Sequence, residues 1–570
     1  MGNKRHDYQT MESEYIASDD LSVRELARRH DVPNHSVVHE YARRHNWAEK
    51  RAKRQAKTDD KKVDAEEGRP PTETGGQKSG TAISGSISVN VVDETAVASL
   101  LGAVVTGADG LHASGSNQSG NIAVSGAAAL SLNKNKSSGL AGAVTVNLLK
   151  STTQALVLES MLSDVGAVTL SADARGNIVA VAAGLAGSAR GDGVAGSVAV
   201  NLIDTDTQAR FEGGALTSTG SLDIEARDRT SIVAVAGALA FGGQAGIGMG
   251  IAYNNIQGGA TAELVKAEVN IDGALTVSAT NASKITAVAA AIAASYSRPR
   301  QGIDANADSA NTSVALAGGV TINKITAHTR AAIVGYADHD QTTSAASITV
   351  KASDIDSRIT GIGGGLAVGL LRASSGVGSS EAAAAGISFV YNKLDVSAVA
   401  VTEDAILVAP GDVAVTADTG AEIRSLAIAG AVAGALGNGG TTAFAGAGAV
   451  AFNTLRGGAE AGLKRTRVTS GTLRVAATDI SKVRADAGGV SLGIGIGVSR
   501  GSGTGLALGA AIAFNKSQDR VIRASLDNAT VDTGDLVVEA TSSSTIDALT
   551  LAGAGALGKG GEGGGGYAAS

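Results

Sequence analysis

The sequence predicts a mainly β fold: a repetitive β-solenoid of the parallel β-helix-like kind, preceded by a small α-helical helix-turn-helix domain. Three observations lead to this prediction. The 570 residues include 77 Gly but only 6 Phe and 1 Trp, and the Gly residues are interleaved with β-branched ones, as in turns between strands. One short strand pattern recurs along most of the chain. The first residues carry helix start and stop signals instead.

Composition divides the chain into three segments. Residues 1–57 carry twelve Lys and Arg against nine Asp and Glu, a net charge of +3, whereas the whole chain has a net charge of −7. Residues 58–82 are polar and nearly free of large apolar side chains, which is typical of a disordered linker. Residues 83–570 are predicted to form the solenoid, with about seven units of 53–69 residues and a partial last unit.

The N-terminal segment is predicted to contain two short helices joined by a tight turn. Ser22 followed by Glu25 matches a capping box at the start of the first helix. This helix is expected to end before Pro33, because the residue before a proline disfavours helical geometry. A second helix is expected over residues 34–45. Its inward residues would be Val37, Val38 and Tyr41.

These two helices match the helix-turn-helix pattern, in which the second helix recognises DNA. Over Leu21–Trp47 the chain reads LSVRELARRHDVPNHSVVHEYARRHNW, which resembles the helix-turn-helix of phage small terminase subunits, although Asp31 stands where that family often has Gly. The resemblance implies that the first four of the residues named next would face duplex DNA and that the last four would meet its phosphates. The implied DNA-binding residues are His35, Ser36, His39, Arg43, Lys50, Arg51, Lys53 and Arg54. The alternative is a helical cap with a solvated basic face.

Beyond the linker, a strand of small residues that ends in an aliphatic or aromatic residue and Asn recurs eight times. The recurring residues are Asn90, Asn147, Asn201, Asn254, Asn323, Asn392, Asn453 and Asn515. Their intervals are 57, 54, 53, 69, 69, 61 and 62 residues, and periods in this range are typical of repeat arrays. We expect each Asn to lie at a corner, where its amide can bond backbone groups and tolerates left-handed geometry.

A second pattern, L-x-V-x-A, recurs with a similar spacing. It ends at Ala172, Ala226, Ala279, Ala352, Ala417, Ala477 and Ala540. Its period of two predicts strands with one buried face. Each interval is long enough for two or three coils that stack through backbone hydrogen bonds. The two longest intervals contain polar insertions that start at Ser297 and Leu370, and both are expected to be loops.

The array of residues 83–570 resembles the repeats of very large bacterial filamentous adhesins, the haemagglutinin-like and leukotoxin-type exoproteins. This resemblance implies a secreted, surface-attached passenger with an unknown extracellular or cell-surface partner. The rival interpretation is a phage-type DNA-binding, packaging-related protein in which the array is a spacer or virion fibre. That protein would be found in the cytoplasm of an infected bacterium or in the virion. Duplex DNA would then be the partner of the N-terminal domain.

Both ends of the array are abrupt, and solenoids normally need terminal caps over their unpaired strand edges. We therefore expect a slice of a longer array, or a chimera whose helical head came from elsewhere. The N-terminal residues MGNKRHDYQT lack the apolar core of a secretory signal peptide. No apolar run predicts a membrane-spanning segment, because each is short and interrupted by Gly.

No catalytic, metal or cofactor site is predicted, and we expect no enzymatic activity. Gly497–Gly501 matches G-x-S-x-G, but no His follows His339 to act as the base. Gly553–Gly558 matches G-x-G-x-x-G, yet the sequence after it cannot start a helix, so a flexible connection between coils is expected. Cys is absent, which excludes thiolate chemistry. The acidic residues without calcium-loop spacing are Asp304, Asp308, Asp338 and Asp340.

Overall fold

A computed structural model of the protein describes most of the array and part of the N-terminal segment. The described residues of the array are 80–132, 137–298, 311–338, 341–373, 379–498, 501–561 and 563–570. Those of the N-terminal segment are 8–18, 22–30, 32, 38, 42–43, 46–47 and 50. The chain separates into two compact units, Met1–Gln77 and Lys78–Ser570.

The N-terminal unit contains the two described helices, α1 (Tyr8–Ala17) and α2 (Val23–Arg29). The Ser22 hydroxyl accepts a hydrogen bond from the backbone N–H of Glu25 at 3.2 Å, so the predicted start of α2 is confirmed. The helix stops before Pro33, also as predicted, whereas α1 was not predicted. None of the helices in the described part of the chain is long and apolar enough to cross a membrane.

A small core holds the N-terminal unit together. Met11 of α1 and Leu26 of α2 are buried with Val38 and Trp47. The inward position predicted for Val38 is therefore confirmed. The other two residues predicted to face inward, Val37 and Tyr41, lie outside the described residues.

The second unit consists of β-strands. Its first strands are β1 (Gly80–Leu101), β2 (Val104–Thr106), β3 (Gly110–Ser131), β4 (Ser137–Leu158), β5 (Met161–Val165), β6 (Ala167–Ser188), β7 (Gly193–Glu212), β8 (Ala215–Ser218), β9 (Leu222–Gly242), β10 (Ala245–Gly258), β11 (Ala260–Val265), β12 (Glu268–Ile271) and β13 (Leu275–Ser297). The others are β14 (Asn311–Val334), β15 (Thr342–Ser344), β16 (Ile348–Asp354), β17 (Arg358–Arg372), β18 (Ser380–Glu403), β19 (Ile406–Thr419), β20 (Glu422–Gly437), β21 (Thr441–Lys464), β22 (Arg467–Asp479), β23 (Lys482–Gly497), β24 (Gly503–Asp527), β25 (Thr530–Ser542), β26 (Thr545–Lys559) and β27 (Gly564–Ala569).

These strands form two sheets, and the strand pairs within them are parallel. The first sheet runs in the order β1-β4-β7-β10-β14-β18-β21-β24-β27, with β11 beside β7 and β14. The second sheet contains the remaining strands. Successive strands of a sheet come from successive repeats, so the predicted parallel solenoid is confirmed.

Each sequence repeat forms a single coil of the solenoid. Strand β4 pairs with β1 and β7 so that Asn147 lies opposite Asn90 on one side and Asn201 on the other. The expectation of two or three coils per repeat is therefore wrong. The reason is strand length: β4 and β6 have 22 residues each, so one pass through each sheet uses most of a repeat.

The recurring Asn residues lie in the middle of long strands, not at corners, so their expected location is also wrong. The corner after the long strands of the first sheet holds other residues in left-handed geometry, among them Glu159 (φ 48°), Asp404 (φ 54°) and Arg465 (φ 47°). In the last two of these coils the corner is tied by an ion pair, with Arg465 Nε 2.7 Å from Asp404 Oδ1. At this coil boundary the corner is thus held by a contact between side chains.

The coil has a narrow half and a wide half, which are defined here on the second coil. The narrow half comprises residues 137–147 and 177–188, and its core is built mainly from Ala. Its two sheets approach closely: a Cβ on Gly193 would lie 2.1 Å from the backbone oxygen of Phe241. The wide half comprises residues 148–176, and larger side chains such as Leu170 and Phe211 fill its core. The buried L-x-V-x-A face forms part of this second core, as predicted.

Candidate functional site

The recurring Asn residues form a continuous ladder inside the array. Each side-chain amide donates its Nδ2 hydrogen to Oδ1 of the Asn in the next coil. These N–O distances lie between 2.8 and 3.0 Å along the whole series. The six ladder members from Asn147 to Asn453 have no exposed surface. The ladder therefore satisfies buried amides and fixes the register of neighbouring coils.

Small residues of the second sheet make room for the ladder. A Cβ on Gly361 would lie 2.7 Å from Asn392 Oδ1 and 3.0 Å from Asn323 Nδ2. In the coil of Asn453, Ser425 takes the corresponding position and its hydroxyl accepts a hydrogen bond from Nδ2 at 2.9 Å. The ladder thus packs against the opposite sheet without an intervening side chain.

A second polar column runs through the second sheet, between the narrow and the wide core. Apart from Asn117 in the first coil, its members follow the L-x-V-x-A motif by two residues. Strand register and the Asn281–Asp354 hydrogen bond align them from coil to coil. We call it the polar seam; it consists of Asn117, Ala174, Asp228, Asn281, Asp354, Thr419, Asp479 and Ser542. This feature was missed from the sequence, although the motif visibly continues as L-x-V-x-A-x-[D/N]-x-[S/T] in several repeats.

Two carboxyl groups of the seam are buried away from any cation. Thr205 Oγ1 donates to Asp228 Oδ2 at 2.5 Å, and the Gly259 amide donates to the same oxygen at 3.2 Å. Asn281 Nδ2 donates to Asp354 Oδ2 at 2.8 Å. Burial raises the pKa of Asp228 to about 7 and that of Asp354 to about 6. The seam therefore takes up protons in the folded state near neutral pH.

Replacing Asp228 with asparagine is expected to stabilise the array above pH 7 by a few kcal/mol, with little effect below pH 4. The folded-state pKa lies above the unfolded value, so the wild-type protein loses stability as the pH rises from about 4 through 7. An amide keeps the shape and stays neutral, as Asn281 does in the next coil. Thermal unfolding from pH 4 to 8 measures the difference. The exposed Asp206→Asn is the control, and equal pH profiles for D228N and wild type would contradict the prediction.

Near the C-terminal end of the array, the seam carries a charge pair instead. Arg520 Nη2 lies 2.5 Å from Asp479 Oδ1, and the two side chains are 8% and 0% exposed. Burial alone would raise the pKa of Asp479, but hydrogen bonds from Ser481 and Ser544 and the charge of Arg520 outweigh it and lower the pKa. Along the seam, the pKa is thus raised at Asp228 and Asp354 and lowered at Asp479.

Both Gly-rich matches to catalytic motifs fall in or beside strands of the second sheet. Gly497 ends β23, whereas Ser499 of the G-x-S-x-G match lies outside the description. The G-x-G-x-x-G match lies within strand β26, so the expectation that it forms a flexible connection is wrong. Close contact between the sheets accounts for its last Gly: a Cβ on Gly558 would lie 2.0 Å from the backbone oxygen of Gly565.

The acidic residues that lack calcium-loop spacing form no metal centre in the described part of the chain. Within those residues no three His, Cys, Asp or Glu side chains lie close enough to hold a metal ion. Asp338 is exposed. Asp304, Asp308 and Asp340 lie outside the description.

Of the eight residues implied in DNA binding, the structure describes two. Arg43 is exposed, and Lys50 is exposed with its Nζ 2.5 Å from Glu12 Oε1 of α1. The other six, His35, Ser36, His39, Arg51, Lys53 and Arg54, lie outside the described residues. In the DNA contact that the resemblance implies, the Glu12 carboxylate would compete with a phosphate for Lys50.

Comparison with known proteins leaves the function to be argued from the chain itself. No protein-family model and no curated protein matches the chain. The adhesin and phage resemblances of the sequence therefore stay predictions.

Proposed function

We propose that the array is the non-enzymatic, structural and adhesive passenger of a cell-surface protein. The observation that carries this proposal is the in-register stack of eight coils, in which the Asn ladder is continuous from Asn90 to Asn515. A stack of this kind presents long, flat outer faces that are held by backbone pairing rather than by one compact core. Its buried ladder amides bond one another from coil to coil. Its place would be the cell surface or the extracellular space.

The adhesive role can be tested with microspheres coated with the full chain. We expect them to attach to a layer of cultured epithelial cells or to bacterial cells at least ten times more often than albumin-coated microspheres do. Microspheres coated with heat-unfolded chain are the matched control, because the sequence is unchanged and only the stacked coils are lost. Attachment equal to albumin on both cell types would contradict the proposal.

The alternative is a phage-type DNA-binding protein, in which the N-terminal unit acts and the array is a spacer or virion fibre. It is supported by the exposed side chain of Arg43 and by the net charge of +3 of residues 1–57. In this case the full chain would retard duplex DNA, and retardation would weaken steeply with salt. Arg43→Ala would reduce the affinity several-fold. Arg28→Ala is the control, because Arg28 is bound to Glu25 of its own helix at 2.9 Å.

A further inference from the structure

The outer surface of the narrow half is apolar on both sheets. We call these outward positions the apolar band; in β4 they are Leu140, Gly142, Val144 and Val146. In all the other coils, the strand register places an apolar residue, Gly or Tyr at the corresponding positions. Side chains in the middle of the array are well exposed, for example Ile387 at 57% and Met249 at 49%. Contiguous apolar surface of this extent is rare on soluble monomers and marks an interaction site.

The second sheet repeats the band on the opposite face. In β6 the outward positions are Val181, Ala183, Leu185 and Gly187, and the register again aligns apolar residues with them in the other coils. One exception is Asp486, which is neutralised by Arg484 with Nε 2.9 Å from Oδ2. Between these faces the narrow core is itself built mainly from Ala. The narrow half is thus apolar on both outer surfaces, and its interior holds the Asn ladder among Ala side chains.

The height of the band along the strands is close to the thickness of a lipid hydrocarbon layer. Leu140–Val146 covers about 23 Å at roughly 3.3 Å per residue. The next outward position is also apolar in the first three coils, as Val91, Leu148 and Leu202. That extends the band there to about 30 Å, the thickness of a bilayer hydrocarbon core.

The edge of the band carries the residues that favour a membrane surface. In the later coils the last column of the first sheet is aromatic, and its rings stack: the Phe452 and Phe514 centroids are 4.5 Å apart. The adjacent outward column contains Lys324, Lys393 and Lys516, of which Lys393 has its Nζ 3.7 Å from Asp395 Oδ2. Tyr rings, such as Tyr391 in this column, favour the headgroup level of membranes, and lysines beside them reach anionic headgroups. This basic edge stands out because the array as a whole is acidic.

The backbone of the band also suits a medium without water. Strands inside the stack are paired on both sides, so their N–H and C=O groups are satisfied by neighbouring coils. The wide half differs, because its outer face carries ion pairs such as Arg330–Glu263, with Nε 3.0 Å from Oε1. Along each long strand, the outer surface therefore changes from apolar in the narrow half to polar in the wide half.

From these observations we infer that the narrow half of the array enters the hydrocarbon layer of an anionic lipid membrane, with the lysine column at the headgroups. A second copy of the chain is the competing occupant. Two copies joined through one sheet would cover only one of the two apolar faces and leave the other in water. A lipid layer covers both at once, and both faces of the band lie at the same level of the coil. This inference does not depend on the adhesive role.

The absence of Cys allows a direct test with single labels. Ile387→Cys and Ile428→Cys place an environment-sensitive fluorophore on the band of the first and second sheet, and Lys351→Cys places it on the exposed wide half as the control. The full chain is mixed with vesicles of phosphatidylcholine and phosphatidylglycerol. We expect a blue shift and quenching by bromine-labelled acyl chains at both band positions and neither effect at position 351.

A triple variant tests the edge of the band. Lys324→Gln, Lys393→Gln and Lys516→Gln together are expected to weaken vesicle binding at least tenfold, because each basic side chain near an anionic surface adds to the attraction. A blue shift at the band that needs no vesicles and grows with protein concentration would overturn the inference in favour of a second copy. Labels that stay in water under both conditions would overturn it as well.

Discussion

Asn323→Leu is expected to lower the free energy of unfolding of the array by about 3–5 kcal/mol. Leucine has a similar volume but cannot bond, so the substitution breaks two hydrogen bonds of the ladder. It leaves Asn254 Nδ2 without its acceptor and Asn392 Oδ1 without its donor, and both side chains are completely buried. Each buried polar group left unpaired costs its full desolvation energy.

The measurement is chemical unfolding followed by circular dichroism, with Asn270→Leu as the control. Asn270 belongs to the short strand β12, where it is exposed, so its replacement is expected to change stability by less than about 0.5 kcal/mol. Because coils contact only their neighbours, we expect the coils around position 323 to unfold in a separate, earlier transition. A loss below about 1 kcal/mol at position 323 would show that the ladder contributes little.

Gly386→Ala is expected to destabilise the narrow half by about 3 kcal/mol or more. The added Cβ would lie 2.2 Å from the backbone oxygen of Gly430 and 2.7 Å from that of Gly365. Backbone atoms of two paired sheets cannot move aside as the end of a flexible side chain can. The sheets would have to separate locally, which would loosen the Ala core between them.

Gly318→Ala is the matched control for this substitution. It lies in the neighbouring strand, opposite Ile387, and a Cβ there meets nothing within 4 Å. It is expected to be neutral or slightly stabilising, because alanine loses less backbone entropy than glycine in a strand. Thermal unfolding of both variants provides the comparison. Equal effects at positions 386 and 318 would contradict the close contact of the sheets.

The repeat and its strands could be predicted because both motifs keep the same spacing and alternate with period two. The number of coils per repeat could not, since an interval of 53–69 residues fits either several short strands or a few long ones. The location of the Asn residues was wrong for a related reason. A polar residue next to a strand favours a turn by local propensity, whereas here a stack of identical amides overrides that propensity.

The polar seam and the apolar band were harder to predict because they depend on which residues stack. From the sequence alone, Asp228 is predicted to be a solvent-exposed charge. Only the register with Asn281 shows that it lies in a buried column. Likewise, Val144 and Val181 lie on opposite sheets, and only the fold shows that they occupy the same level of the coil. In the N-terminal unit, the start of α2 followed from Ser22, whereas α1 has no comparable signal.

The direction of backbone pairing has a mechanical consequence for the array. Hydrogen bonds between coils point along the stack, so a pull on its two ends loads the bonds of one coil boundary at a time. The array would yield by peeling successive turns instead of by shearing whole sheets. Each released turn of 53–69 residues would add about 180–240 Å of slack at roughly 3.4 Å per residue. A tether built in this way absorbs tension in discrete steps.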